Sequence, residues 1–548
     1  MPGWAEYISL HTIAMTITRL AAVRRLFIRL GLVAAAILAT GCATTTQAPD
    51  PLATSPRPGE SNVVISITTN TAQVGAFDTL VLSRIQPAGQ TITENHVLNQ
   101  ILPGLARDTS VFIGVLPEGE YEFSTLRHNA SQQFLALGAE QRKRLGRVEV
   151  RGGQPIDLGR LIVTPVNTRV LVGRSARITS NTALLRRFAP EYARLFDGLV
   201  APGWTLPRPD DDRTEEYALQ RPVGAASPHE LPDGQVVAAS RLGTVLQRSS
   251  SGAWRMLSSD DLNALMYVMP VNRPDASLIA VGEFSTLLRL PPGGTKLVPI
   301  DTGDLPPGNL LFISGSDQTG WYVAQQRGVH VTLLRSDKLE AGRWQPVRQE
   351  SVAASFWSGA NSFWIWQTER GLAYAVSEGR IHDLDTATGT WTVRKAPSDH
   401  RLLNVAPDPG GKFGILTSPG GGFGGVFAGT WIWNNAQGAW AEIKTDFKVK
   451  VAPPRQTPGG DMLMIGGVFS SPELHASKDG GKTWQKVADF ALDQSLVILP
   501  SGNMLGVAFG QHGLFRIRHS SDQGKTWQTE YSNFDRTAYE TQESRKKK

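Results

Sequence analysis

Two short stretches near the C-terminal end gather side chains that could do chemistry. "SKDGGKTWQKV", Ser477 to Val487, and "SSDQGKTWQTE", Ser520 to Glu530, each bring a hydroxyl, a carboxylate and a second hydroxyl together: Ser477, Asp479 and Thr483 in one, Ser520, Asp522 and Thr526 in the other. A catalytic box is one reading of such a group, and a structural brick is the other. Recurrence at an interval of this size favours one supersecondary unit used several times. The spelling also suits a turn. Asp479 and Asp522 can accept hydrogen bonds from backbone N–H groups a residue or two ahead, Gly481 and Gly524 can take positive φ, and the hydroxyls can close the loop. Trp484 and Trp527 then open the next strand as large apolar anchors, a role that requires no substrate.

Other chemistry-bearing patterns are sparse. The chain contains no G-x-S-x-G elbow, no H-E-x-x-H and no histidine pair at metal spacing, and His229-Glu230 runs into the turn "LPDG". "GGGFGG", Gly420 to Gly425, matches G-x-G-x-x-G but opens no helix, so a hairpin is expected there rather than a phosphate cradle. The acidic run "PDDDRTEE", Pro209 to Glu216, is either a calcium site or, as preferred here, a solvated linker. No metal and no cofactor are expected. "SFWSGANSFWIWQTERG", Ser355 to Gly371, packs Phe356, Trp357, Phe363, Trp364 and Trp366 closely. On a strand Trp364 and Trp366 face the same way, which makes them candidate ligand-stacking residues; filling the gap between neighbouring sheets is the plainer alternative.

The elements that carry these residues follow from the period. A Gly two residues before a Trp recurs in "SSGAW" at Trp254, "EAGRW" at Trp344, "ATGTW" at Trp391 and "AQGAW" at Trp440, with Leu297 in the Trp place of "PPGGTKLVPI". With Trp484 and Trp527 the count is seven. A turn and a short apolar strand precede most copies, as in "LPDGQVVAAS", "RPDASLIAVG", "TPGGDMLMIGG" and "LPSGNMLGVAFG". Short turn-bounded strands at this spacing predict an all-β chain whose residues 217–534 form a seven-bladed β-propeller of four-stranded antiparallel blades. The pattern S-x-D-x-G-x-T-W, met in full at Ser477, Asp479, Gly481, Thr483 and Trp484 and again at Ser520, Asp522, Gly524, Thr526 and Trp527, resembles the Asp-box of sialidase-type (BNR) propellers. In that family the box is a structural hairpin on the blade edge, away from the catalytic residues. "TGWYVA" at Thr319 to Ala324 also resembles the propellers of photosystem assembly factors, a similarity confined to the blades.

The front of the chain is read in segments. Residues 1–41 carry Arg19, Arg24, Arg25 and Arg29 ahead of the apolar "LGLVAAAILAT", the form of an export signal, and translation could start at Met1 or Met15. Because the sole cysteine, Cys42, ends the segment, it resembles a bacterial lipoprotein signal. That resemblance implies a lipidated Cys42 as membrane anchor, and Ala43 in place of Asp implies the outer membrane. Residues 42–61, rich in Thr, Pro and Ser, are expected to be a flexible tether. Strand-like runs over 62–175 predict a small antiparallel β-sandwich, and "VLPEGEYEF" resembles the edge turn of transthyretin-like and carboxypeptidase-regulatory-like sandwiches. Residues 176–216 are read as a helical connector and linker, with Ser180 or Asn181 as cap and Pro190 starting a second helix. Residues 535–548 form a polar tail.

Charge excludes one class of partner. The formal +6 drops to +3 once residues 1–41, with four Arg and one Glu, are removed, too little for a nucleic-acid footprint. The family's glycosidases carry an R-I-P phrase near the propeller start, whereas this chain has Arg221-Pro222 without the Ile. The leading expectation is a non-enzymatic envelope lipoprotein that binds or scaffolds a protein or glycan through its propeller. A divergent sialidase-like glycoside hydrolase is the alternative.

Overall fold

The computed structural model describes residues 44–534 apart from 72–76, 87–93, 130–132, 168, 199, 353, 356–358, 361, 398–400, 408–412, 419–428, 435–436, 469–470, 491–493 and 510–513. Cys42, the polar tail, "GGGFGG", Phe356 and Trp357 lie outside the described residues.

The sandwich contains β1 (Thr44–Gln47), β2 (Glu60–Thr69), β3 (Thr79–Arg84), β4 (Glu94–Ile101), β5 (Thr109–Pro117), β6 (Gly119–His128), β7 (Gln133–Ala136), β8 (Val148–Val150), β9 (Ile156–Val166) and β10 (Arg169–Arg174). The order is β10-β9-β2-β5-β4-β3-β6-β7, with β1 on β4 and β8 on β6. β4 bridges two layers, because Leu98 pairs with Leu80 of β3 while Asn99 to Ile101 pair with β5. Inward residues of both layers, among them Ile65, Leu82, Phe112, Phe123 and Leu161, share one core. The sandwich is mixed rather than wholly antiparallel: β2 runs parallel to β9, and β1 parallel to β4.

The expected tether over 42–61 is, from residue 44 onward, part of this sandwich. Ala48 is 1% exposed and donates its N–H to Val97, while the Asn99 amide donates to the Ala48 carbonyl. Composition hid this, because a Thr- and Pro-rich stretch needs few apolar residues when a strand edge takes its backbone hydrogen bonds.

Among the described residues four short α-helices follow the sequence signals in part: α1 (Ala139–Leu145), α2 (Thr182–Phe188), α3 (Pro190–Ala193) and α4 (Thr214–Gln220). Pro190 opens α3 as expected, where its missing N–H costs nothing. Asn181 precedes α2 but does not cap it. Its amide donates instead to Asp157 Oδ1 and to the Gly159 carbonyl, each at 2.8 Å, tying the connector to the sandwich.

Seven sheets make the propeller. Blade 1 spans Ala226 to Ser258, blade 2 Leu265 to Pro299, blade 3 Asn309 to Ser351, blade 4 Phe363 to Lys395, blade 5 Arg401 to Glu442, blade 6 Val449 to Asp489 and blade 7 Gln494 to Ser532. Each is an antiparallel meander in chain order. In blade 6 the first strand is split into Val449–Lys450 and Arg455–Gln456, because Pro453 and Pro454 between them cannot donate to the ladder.

Since every blade is contiguous in sequence, among the described residues no strand from the N-terminal end completes blade 7. Closure of the ring depends on side chains. Arg248 of blade 1 meets Glu530 of blade 7 through Nε at 2.6 Å and NH2 at 2.7 Å, and Trp254 Nε1 adds a third hydrogen bond at 3.2 Å. Both members of the ion pair are under 10% exposed (side chains 9% and 8%). Tyr531 Oη donates to the Pro222 carbonyl at 2.8 Å, and Leu246, Phe515 and Ile517 fill the seam.

Candidate functional site

The two full S-x-D-x-G-x-T-W turns join the third and fourth strands of blades 6 and 7. In the first, Asp479 Oδ1 accepts from Ser477 Oγ at 2.7 Å, Lys482 N at 3.0 Å and Thr483 N at 2.9 Å, and Oδ2 accepts from Thr483 Oγ1 at 2.6 Å. The donors stand three and four residues ahead, not one or two. Asp522 repeats the arrangement with Ser520 and Thr526. These bonds, led by the Thr526 hydroxyl, hold the Asp522 carboxyl down at about 2, and Thr483 lowers Asp479 in the same way. Every named polar atom of the turn is satisfied within the turn itself.

The tryptophans explain why the phrase recurs. Each leans on the blade before its own: Trp254 on Tyr531, Trp391 under the Arg348 guanidinium at 4.5 Å, and Trp440 through Nε1 to the Lys395 carbonyl at 3.0 Å. Trp484 packs on Ile443 and Phe447, and Trp527 meets Phe490 edge-on with ring centroids 5.8 Å apart. At Gly524, φ is +85°, and a Cβ would come 2.4 Å from Leu474 Cδ2 of blade 6, so this close seam requires glycine. Trp484 and Trp527 are half-buried, less enclosed than the word anchor suggests.

The antiparallel meander puts the turns between strands one and two, and three and four, on one face of the propeller. The turns between strands two and three share the other face with the blade-to-blade loops. All the following contacts with the sandwich fall on that second face. Glu283, in the blade 2 turn, accepts from the N–H groups of Arg107 (2.7 Å) and Asp108, from Thr109 Oγ1 (2.9 Å) and from Ala264 N (3.2 Å). Burial, and then the Asp108 charge, push the Glu283 carboxyl up. Arg241 of the blade 1 turn reaches Asp108 at 3.4 Å and donates to the Thr71 carbonyl. Gly104 approaches the Gly328 backbone of blade 3 so closely that a Cβ would stand 2.4 Å from its nitrogen. Phe284 inserts between α2 and the outer side of the sandwich sheet, against Val64, Val111 and Ile113. The sandwich therefore covers blades 1 to 3 of this face, and the two S-x-D-x-G-x-T-W turns lie on the opposite one.

Trp366 is 8% exposed among Ala373, Ile381, Leu402 and Val405, with Trp364 packed against the same cluster between blades 4 and 5. This is the plainer alternative of the two weighed for the pair, and it leaves Trp366 no open ring face for stacking. The acidic run is not a solvated linker throughout: Asp212 and Glu215 are 5% and 4% exposed. Glu215 accepts from Ser175 Oγ at 3.0 Å and from Ala176 N, while Asp212 accepts from Thr214 N. Among the described residues no group of three or more His, Cys, Asp or Glu is placed to hold a metal ion. His229 packs edge-on to Tyr267 and is lowered to about 4 by burial. A Tyr–Glu pair beside arginine, the constellation a sialidase-like enzyme would need, occurs at Tyr374 and Glu350 (2.7 Å) next to Arg348. Tyr374, on the second strand of blade 4, is 1% exposed and faces Glu350 of the fourth strand of blade 3.

Many solved structures align with this chain, among them three at low identity and low TM-score. The WD40 propeller domain of Doa1 is 13% identical, with a TM-score of 0.34, covering 56% of this chain and 99% of that one. YCF48, solved with a bound peptide, is 17% identical (TM-score 0.38; 56% of this chain, 96% of that one). A catalytically inactive virginiamycin B lyase from Staphylococcus aureus is 11% identical (TM-score 0.36; 54% and 92%). No protein-family model and no curated protein sequence matches the chain. These neighbours carry no activity over to this chain.

The sandwich–propeller lock was missed in the sequence. Glu283, Asp108 and Arg241 are ordinary charged residues far apart in the chain, and nothing local distinguishes them from surface charges.

Proposed function

We propose that the protein is a non-enzymatic lipoprotein of a bacterial envelope, probed and held through two parts: a lipid on Cys42 and a propeller that binds a protein or glycan partner. The observation that carries this reading is the ring itself, closed by buried side chains and fixed to the sandwich by Glu283, which makes a rigid platform with loops free to vary. The Tyr374–Glu350 pair, enclosed between blades 3 and 4, offers the glycosidase alternative no accessible nucleophile. With residues 44–61 docked on the sandwich, a lipid at Cys42 would hold the sandwich directly against the bilayer, in the outer membrane by the expectation from Ala43.

Two measurements test it. Labelled palmitate should enter the full chain and be lost in Cys42→Ser, which should also release the protein to the soluble fraction. The purified chain should capture a defined protein or glycan from envelope extract without turning over sialosides or other glycans. Hydrolysis of any of them, or unchanged membrane retention of Cys42→Ser, would refute the corresponding half.

A further inference from the structure

A cavity of about 490 Å³ lies where the sandwich, α2 and blades 1 and 2 meet. At its base is Arg160 of β9, 3% exposed. Its Nε donates to Ser66 Oγ at 3.1 Å and its NH1 to Asn263 Oδ1 at 3.2 Å. Among the described residues no carboxylate comes within ion-pair distance of it. Asp261, Glu283 and Glu215 act on it only through space, and both Asp261 oxygens are engaged by Asn263, through N at 3.0 Å and Nδ2 at 2.7 Å. A second cation lines the same cavity: Arg187 of α2 donates to Thr302 Oγ1 at 3.0 Å, stacks on Phe188, and likewise has no carboxylate partner among the described residues.

An enclosed guanidinium without an anion in contact is costly, and proteins ordinarily pair it or coordinate something with it. The third cation of the wall, Lys296, is already matched by Asp260 at 2.7 Å near the solvent-exposed mouth. Among the residues that line the cavity, Arg160, Arg187 and Lys296 against Asp260 and Asp261 leave one positive charge in excess; Glu283, Glu215 and Asp301 lie outside the lining and act on the two guanidinium groups only through space. The rest of the wall is largely apolar, with Leu184, Phe188 and Phe284 prominent, and is interrupted by the polar Ser180, Ser259, Asn263 and Thr286. The volume falls inside the range of about 300–1,000 Å³ typical of small-molecule sites.

We infer that this junction cavity binds a small organic anion, one carboxylate or phosphate on an apolar body, with Arg160 and Arg187 as its counter-charges. Because the walls come from the sandwich, the connector and the propeller, a bound anion touches all three. Occupancy then stabilises their mutual placement, as any ligand specific for the native state must. This inference stands apart from the propeller's partner and from the lipid, and it can fail without either failing.

The test uses the folded chain with hexanoate, phenyl phosphate and, as the charge control, hexylammonium. Calorimetric titration should give one saturable site for at least one of the two anions, with a dissociation constant of about 1 mM or tighter, and a rise in melting temperature; hexylammonium should do neither. Which anion binds more tightly decides between carboxylate and phosphate. Arg187→Gln, at the exposed mouth, should weaken binding about tenfold or more, the value of one charge-assisted hydrogen bond. Leu184→Trp, which fills the cavity, should abolish it. Absence of saturable binding by both anions, or binding unchanged in Arg187→Gln and in a folded Leu184→Trp, overturns the proposal.

Discussion

Removal of Glu530 tests how the ring is held shut. In Glu530→Ala the Arg248 guanidinium loses two hydrogen bonds of 2.6 and 2.7 Å, and Trp254 Nε1 loses its acceptor at 3.2 Å. Both charges are over nine-tenths buried, so the Coulomb term is little screened and the orphaned cation remains in the seam. Breaking a buried pair by removing one partner costs about 3–5 kcal/mol. Replacing both partners with apolar residues of similar volume is close to neutral, so Arg248→Met with Glu530→Leu should recover most of the loss. Urea unfolding followed by tryptophan fluorescence reads all three proteins. A loss in Glu530→Ala below about 1 kcal/mol, the level of an exposed pair, would mean that the apolar seam of Leu246, Phe515 and Ile517 closes the ring without the ion pair.

Three further perturbations have defined outcomes. Trp484→Ala and Trp527→Ala should each cost about 2–3 kcal/mol, under the 3–5 of a fully enclosed aromatic because both rings are half-buried, and partner capture by the folded fraction should not change. Asp522, held at about 2 against an ordinary 3.8, contributes stability that is complete above about pH 4 and is lost as pH falls towards 2; the melting temperature should drop across that window, and less so in Asp522→Asn. Glu283→Ala removes the acceptor of three hydrogen bonds between blade 2 and the sandwich, and of a fourth from Ala264 within the propeller, so limited proteolysis should cut the connector near residues 200–213 faster than in the parent, with the blades still resistant.

The propeller was legible in the sequence because a repeated blade needs the same local devices each time. The "LPDGQVVAAS" class of phrase is the turn into the second strand, and Val236 to Ser240 are buried throughout. The Gly before each Trp is set by a left-handed turn or a close approach, as at Gly524, and the Trp by the neighbouring blade it must reach. Leu297, 1% exposed, does the same work in blade 2 without an indole. The strand-like runs over 62–175 correspond to β2, β3, β5, β6, β9 and β10, whereas β1, β4, β7 and β8 carry no such signal. β4, "ENHVLNQI", alternates weakly because it serves two layers, so no single face of it is consistently apolar.

Local pattern thus determined the class of fold, the blade count and the turns, since each depends on residues a few positions apart. What the tertiary structure decided are relations between distant residues. Trp366 proved to be inter-blade filling because Leu402 and Val405 come to lie against it. The docking of residues 44–61 depends on the free edge of β4, and the closure of the ring on Arg248 and Glu530, which are far apart in the chain. The covered face and the charged cavity likewise exist only once Arg160, Arg187, Asn263 and Glu283 are brought together. Charge alone in a sequence does not say whether a residue will meet water or a partner; burial does, and burial is a property of the assembled chain.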